Sequence, residues 1–251
     1  MRLGLKLWSS NAELIPEAKK LVDEKVFDYV ELTPVPGADI EPFVDSGLPF
    51  VIHVTHERFG FNIADAKKKA FNVKILGDCI DFADRLDAKY LVLHPGFGAI
   101  EDSVDFLSSV DDERILVENM PRRGINGEKM IGYLPEDLKN LLCGRFGLCL
   151  DFGHAIKAAS SVGLDYKTML ADFMELSPQL FHLHDGSSKK ETDEHLSLGK
   201  GDFDLKHIVS LLEADSSVTL ETPRNAGLEE DKKNAAYVRR LRESSSKSSR
   251  R

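Results

Sequence analysis

The sequence has no long apolar run and few cysteines. None of its apolar runs reaches about 18 residues, the length that a membrane-spanning helix requires, so we expect no membrane span. The opening residues, MRLGLKLW, lack the apolar core and cleavage site of a secretory signal peptide. Three cysteines are an odd and sparse set, typical of a reducing compartment without a disulfide framework. We therefore expect a cytoplasmic protein in which Cys149, inside an apolar run, is a core residue.

Positive charge is also in deficit. The chain has 33 lysines and arginines against 42 acidic residues, which gives a net charge of −9. Nucleic acid repels such a chain overall, so binding DNA would require a local basic patch. Seven basic residues follow the apolar runs described below and could either form such a patch or be solvated separately: Arg58, Arg122, Arg123, Lys189, Lys190, Lys200 and Arg224.

Strand-like and helix-like segments alternate along the whole chain of 251 residues. Short apolar runs predict eight strands, at 3–7, 29–32, 50–54, 90–94, 115–118, 148–151, 180–184 and 218–221. Amphipathic stretches between them predict helices such as 12–25, 64–86, 104–110, 164–176, 205–214 and 228–242. This order predicts one α/β domain, a (β/α)₈ TIM barrel over residues 1–243. The polar segment 244–251, SSSKSSRR, is expected to be disordered.

An open doubly wound sheet is the main alternative to the barrel. No glycine-rich phosphate loop follows the first predicted strand, which disfavours this alternative. The polar residues at the strand ends are also spread over at least six strands, and a barrel mouth brings that many together.

Six of the eight histidines lie at or just after the end of an apolar run, and other runs end in carboxylates. The segments are PFVIHVTH, YLVLHPG, ILVEN, GLCLDFGH, LFHLHD and VTLETP, and TDEHLSLGKG follows shortly after LFHLHD. Because the carboxyl ends of barrel strands meet at one mouth, this pattern predicts a metal site there.

The carboxylates make the strongest case for a metal. Glu118 and Glu221 each end a strand-like run, and a buried carboxylate requires a cation or another buried partner. With Asp151 and His182 they form a ligand set that suits Zn²⁺ or Mn²⁺. Two further pairs could face the same cavity. Asp151 and His154 share a predicted tight turn, whereas Asp193 and His195 have i, i+2 spacing on an extended segment, which turns Glu194 towards solvent.

The ordered set of motifs resembles the endonuclease IV family, also known as AP endonuclease family 2, within the xylose isomerase-like superfamily of TIM barrels. GLCLDFGHA is similar to the family's G-x-C-x-D-T-C-H-A, and DEHLSLGKG to its D-x-H-x-x-x-G-x-G. The resemblance implies up to three zinc ions with Glu118 bridging two of them. It implies that His53 and His94 hold the first of these two ions, and that Asp151, His182 and Glu221 hold the second. His154, Asp193 and His195 would hold the third ion. His56 competes with His53 as the first ligand because its spacing to Asn62 fits the family better, but His53 directly follows the apolar run.

This resemblance implies hydrolysis of DNA at abasic sites, with a metal-activated water as nucleophile. Several differences favour a smaller substrate. The loop after the second strand, TPVPGAD, has neither an aromatic nor a basic residue. Phe152-Gly153 replaces the family's Thr-Cys, and His184 replaces its Asn.

The alternative hypothesis is a divalent-metal-dependent isomerase or epimerase of the same superfamily that acts on a sugar or sugar phosphate. The segment Tyr29-Val-Glu31-Leu32 resembles the corresponding segment of such enzymes. There one metal, such as Mn²⁺ or Mg²⁺, would be held by Glu118, Asp151, His182 and Glu221. Glu118 and Glu221 would then be the acid/base pair and His154 would hold the substrate hydroxyls. A third hypothesis, a non-enzymatic interaction barrel, would be supported by the loss of a ligand, and none is lost. The sequence leaves the oligomeric state open.

Overall fold

The computed structural model describes residues 1–248, in which eight parallel strands pair in chain order and close into a barrel. This confirms the TIM barrel that the alternation of segments predicted. The strands are β1 (Arg2–Trp8), β2 (Tyr29–Thr33), β3 (Phe50–His53), β4 (Leu91–Leu93), β5 (Ile115–Glu118), β6 (Gly147–Asp151), β7 (Leu180–Leu183) and β8 (Ser217–Leu220).

Helices connect the strands on the outside of the barrel. They are α1 (Ile15–Asp23), α2 (Glu41–Val44), α3 (Lys69–Arg85), α4 (Ile100–Ser108), α5 (Pro135–Leu142), α6 (Phe152–Val162), α7 (Tyr166–Met174), α8 (Leu205–Ser210) and α9 (Glu229–Ser248). Helix α6 begins directly after β6, where a tight turn was expected. Eight of its eleven residues are buried, and its first residues are those that were expected to form the turn.

The barrel interior is filled by one layer of inward-facing side chains. This layer contains Tyr29, Val51, Val92, Leu116, Cys149 and Leu180, which confirms Cys149 as a core residue. Side chains on a strand alternate between its two faces, so the residue two positions later also points inward. On six strands that next inward residue is polar: Glu31, His53, His94, Glu118, Asp151 and His182. The apolar layer is therefore the floor of a polar mouth.

Helix α9 ends at Ser248 and therefore includes residues 244–248, which the composition predicted to be disordered. Residues 249–251 of that predicted tail lie outside the described residues. In the described part of the chain, no helix combines the length and apolar character that crossing a membrane requires.

Arg224 ties the connection between β8 and α9 to the first strand. Its guanidinium donates two hydrogen bonds to Asp231, at 3.0 and 2.7 Å, and one to the carbonyl of Lys6 at 2.5 Å. The Asp231 side chain is only 2% exposed, so it depends on Arg224 for charge compensation. Arg224 was a candidate for the basic patch, and the structure places it in this ion pair.

We expect the substitution Arg224→Ala to lower the free energy of unfolding by about 3 kcal/mol, because it leaves a buried carboxylate without its partner. Urea unfolding followed by circular dichroism measures the change. Arg85→Ala is the matched control, because Arg85 pairs with Glu41 on the exposed surface. Equal effects of the two substitutions would contradict a structural role for Arg224.

Candidate metal centre

Glu118 lies at the centre of the polar mouth and is completely buried. Its Oε2 lies 3.3 Å from Nε2 of His53 and 3.1 Å from Nε2 of His94. Its Oε1 lies 3.2 Å from Nδ1 of His182 and 3.3 Å from Nδ1 of His154. Burial alone would raise the pKa of Glu118, but the neighbouring imidazoles, His182 first, hold it well below its ordinary value. The carboxylate is therefore ionised and offers each oxygen to a different pair of imidazoles.

The Nδ1 atoms of His53 and His94 are both engaged by neighbouring oxygens. Nδ1 of His53 lies 3.0 Å from the carbonyl oxygen of Val54, and Nδ1 of His94 lies 3.0 Å from the Glu57 carboxylate. Nε2 is therefore the atom of each ring that can bind a metal once it carries no proton. The buried Oε2 of Glu118, which both Nε2 atoms face, has no hydrogen-bond partner in the described structure. This orphaned oxygen fits a divalent cation bound by all three residues.

A second group surrounds His182. Glu31, His53, His182 and Glu221 each offer a ligand atom, and these atoms lie within 4.8 Å of one another. Nε2 of His182 is 3.0 Å from Glu31, and its Nδ1 is 3.5 Å from Glu221. Glu221, which is 8% exposed, has its pKa held well below the ordinary value by His182 and then Lys6, against the opposing effect of burial.

Lys6, the inward residue of β1, balances the charge of this second group. Its ammonium lies 2.7 Å from Glu31 and 2.6 Å from Glu221. Burial raises the pKa of Glu31, but His182 and Lys6 outweigh it and lower that pKa to about 2. Lys6 was not among the predicted site residues, since a lysine in a first strand carries no signal by itself.

The third group consists of His154, Asp193 and His195. Oδ2 of Asp193 lies 2.5 Å from Nε2 of His195 and 3.6 Å from Nε2 of His154. His154 also belongs to a group with Glu118 and Asp151, so the third group adjoins the central carboxylate. Asp151 is the N-cap of α6 and accepts a hydrogen bond of 2.7 Å from the backbone N–H of His154. The helix start, rather than a tight turn, therefore sets the spacing of these two side chains.

Glu194, between Asp193 and His195, does not face solvent as the spacing predicted. Its carboxylate lies 2.8 Å from the ammonium of Lys157, whose side chain on α6 is fully buried. It also accepts a hydrogen bond from the backbone N–H of Ser187. The pair anchors the loop that carries Asp193 and His195 to the helix beneath it.

All nine residues that the sequence marked as candidate ligands lie at the mouth, in groups that share His53, Glu118 and His154. The nine are His53, His94, Glu118, Asp151, His154, His182, Asp193, His195 and Glu221. His56 lies outside these groups. Its ring packs edge-on against Trp8 at 5.5 Å, and the nearest carboxylate oxygen, on Glu57, is 4.0 Å away. The geometry thus favours His53 over His56. Glu57 and His184 also reach the site and were not predicted as site residues. Glu57 ends no strand, and His184 stands where the endonuclease IV motif has an asparagine.

The mouth opens into a cavity of about 770 Å³. Arg58 and Arg123 line it, and Arg123 also pairs with Glu191 at 3.7 Å. The other basic residues proposed for a patch are mostly engaged elsewhere: Arg122 bonds the carbonyl of Ser161, and Lys190 pairs with Glu194. The basic patch at the mouth is therefore smaller than the sequence allowed.

We expect metal affinity to rise with pH. Burial lowers the pKa of His94, but Glu57 and Glu118 outweigh it and raise that pKa to about 10. The pKa values of His154 and His182 are also raised by neighbouring carboxylates. These imidazoles hold protons in the metal-free chain, and a cation must displace them. Zinc affinity should therefore increase from about pH 6.5 to about pH 10, with protons released on binding. Calorimetry in buffers of different ionisation enthalpy counts these protons, and an affinity independent of pH would contradict the expectation.

Known proteins share both the fold and parts of the sequence. A probable endonuclease 4 from Mycoplasmopsis pulmonis is 25% identical over 193 residues, covering 68% of this chain and 69% of its own. An uncharacterized protein of Methanocaldococcus jannaschii is 22% identical over 256 residues, covering 92% of this chain and 95% of its own.

Solved structures superpose over nearly the whole barrel. A D-tagatose 3-epimerase-like protein gives a TM-score of 0.74 at 19% identity, with 97% of each chain covered. Endonuclease IV from Thermus thermophilus gives 0.72 at 24% identity, with 97% of this chain and 100% of the other covered. The model of the xylose isomerase-like TIM barrel family matches residues 27–243. This match, together with the closed barrel and its polar mouth, shows that the chain belongs to the xylose isomerase-like TIM barrel family.

Proposed function

We propose that this protein is an endonuclease IV-like, metal-dependent phosphodiester hydrolase that cleaves DNA at abasic sites. The observation that carries the proposal is the third group, His154, Asp193 and His195, beside Glu118. A single-metal isomerase needs neither this group nor His53 and His94, whereas a multinuclear phosphodiesterase uses them all. Similarity to probable endonuclease 4 sequences supports the same choice.

The donor set fits zinc, which imidazole nitrogens and carboxylate oxygens bind well. His53, His94 and Glu118 would hold one ion, and Glu118 with Asp151, His182 and Glu221 a second. His154, Asp193 and His195 would hold a third. When bound, such ions lower the pKa of water and stabilise negative charge on phosphate oxygens.

The protein's own residues prepare the mouth for a phosphodiester. Lys6 neutralises Glu31 and Glu221, which reduces the repulsion that these carboxylates exert on an anionic substrate. Arg58 and Arg123 place positive charge on the cavity wall, where a guanidinium can bind phosphate oxygens. Trp8, at the end of β1, gives the same cavity an aromatic surface on which a base or sugar ring can pack.

A sugar isomerase or epimerase is the second candidate. The cavity of about 770 Å³ is of a size that holds a small ligand, and Met120 and Ile125 give it an apolar side. Glu118 and Glu221 both approach Nδ1 of His182, at 3.2 and 3.5 Å, so that the two carboxylates could act as an acid/base pair at one metal. The structural likeness to a D-tagatose 3-epimerase-like protein supports this candidate.

Metal content and cleavage activity distinguish the two candidates. We expect close to three zinc ions per chain by elemental analysis, and cleavage of a duplex with one abasic site but not of the intact duplex. Glu118→Gln should lower the cleavage rate by at least ~10²-fold, because even outer partners of metal ligands contribute 10–100-fold. Glu13→Gln, on an exposed residue, is the matched control. One exchangeable manganese or magnesium ion, with epimerisation of a ketose and no DNA cleavage, would refute the proposal.

The cavity arginines provide a separate test of the DNA substrate. We expect Arg123→Ala to weaken binding of the abasic duplex and to reduce the slope of log affinity against log salt by about 0.9 for the lost phosphate contact. Arg145→Ala, on a residue that pairs with Asp111 away from the cavity, is the control. An unchanged slope in the Arg123 variant would count against phosphate binding at this wall.

A further inference from the structure

His184 is a buried imidazole at the mouth whose Nε2 has no hydrogen-bond partner in the described structure. Its Nδ1 lies 3.0 Å from the carbonyl oxygen of Asp185, which fixes the ring and leaves Nε2 as the ring atom that faces the mouth. This Nε2 lies 3.3 Å from Oδ1 of Asp193 and 3.4 Å from Oδ1 of Asp151. This nitrogen is buried, its ring is fixed in orientation, and the polar atoms that it faces are carboxylate oxygens. Metal-binding imidazoles have these surroundings.

Gly153 makes room for this imidazole. A Cβ at residue 153 would overlap the Cε1 and Nε2 atoms of His184, so no other residue type fits beside the ring in this position. Both positions are among those at which the sequence departs from the endonuclease IV motif. The two departures compensate each other in space, because the side chain missing at Gly153 is replaced by the ring of His184.

Two of the distances to Asp193 are close to those around a four-coordinate ion. A tetrahedral zinc with bonds of 2.0–2.1 Å places neighbouring ligand atoms ~3.4 Å apart. Nε2 of His184 lies 3.3 Å from Oδ1 of Asp193 and Nε2 of His154 lies 3.6 Å from its Oδ2, whereas Nε2 of His195 lies 2.5 Å from Oδ2. The His184 ring also stacks on that of His195, with centroids 4.4 Å apart. Three imidazoles thus surround one carboxylate.

We propose that His184 is a further protein ligand of the metal held by His154, Asp193 and His195, and that Gly153 is the residue that permits it. This inference rests on the multinuclear centre of the proposed function. Four protein ligands fill the coordination of a tetrahedral zinc ion. With His184, the third ion has four, and we therefore expect it to be bound tightly.

The test is a Co²⁺ titration of the metal-free protein, followed by visible absorption and by the number of equivalents bound. The wild-type chain is expected to take up three equivalents. In His184→Asn the dissociation constant of one equivalent should rise at least ~10-fold, the lower end of the loss seen for outer partners of ligands. The absorption of that equivalent should also weaken, because water replaces an imidazole. His207→Asn, on α8, is the matched control.

Gly153→Ala displaces the ring and should reproduce the effect of His184→Asn. Adding Gly153→Ala to His184→Asn should change the cobalt titration little, because the displaced ring is already absent. Independent, additive effects of the two substitutions would overturn the proposed coupling.

The outcomes separate this inference from the proposed function. If His184→Asn binds all equivalents with the wild-type affinity and spectrum, His184 is not a ligand, although the hydrolase proposal stands. If His184→Asn loses one equivalent while the wild-type protein does not cleave abasic DNA, the ligand assignment stands and the proposed function fails. If the wild-type protein and His184→Asn both bind a single equivalent, both proposals fail.

Discussion

The need to neutralise buried carboxylates dominates the structure of this barrel. Glu31, Glu118 and Asp151 are completely buried and Glu221 nearly so. Ionised carboxylates in such surroundings are very costly unless cations or hydrogen-bond donors face them. Lys6 compensates two of them, and the imidazoles surround the others. One oxygen of Glu118 and one of Asp151 accept no hydrogen bond from the described residues. At these two oxygens the side chains alone do not balance the negative charge.

The same requirement shapes the parts of the fold around the mouth. Asp193 and His195 lie on a long connection after β7, which has no regular structure of its own to position them. The ion pair of Lys157 with Glu194 fixes this connection to α6, and the bridge between Asp185 and Leu196 closes its base. Helix α6 in turn begins directly after Asp151, whose carboxylate caps its N-terminus. One helix therefore positions ligands of two neighbouring groups.

The strands and the candidate ligands at their ends could be predicted from the sequence, because both depend on local patterns. A run of apolar residues followed by a charged residue is visible in the chain, and alternation then sends Glu118 and Asp151 to the same face as the apolar layer. Helix α6 was missed because its first residues were expected to form a turn. The orientation of Glu194 was missed because its partner, Lys157, is distant in the sequence, and no local pattern reports such a contact.

The sequence by itself determined the barrel, the order of its strands and the set of residues delivered to the mouth, since strand periodicity and the closure of parallel strands are enough for that. The tertiary structure alone decided which atoms meet there. It placed Lys6 between Glu31 and Glu221, His53 rather than His56 against Glu118, and His184 against Gly153. These outcomes depend on distances between residues far apart in the chain, and such distances are set only when the barrel closes and its connections pack.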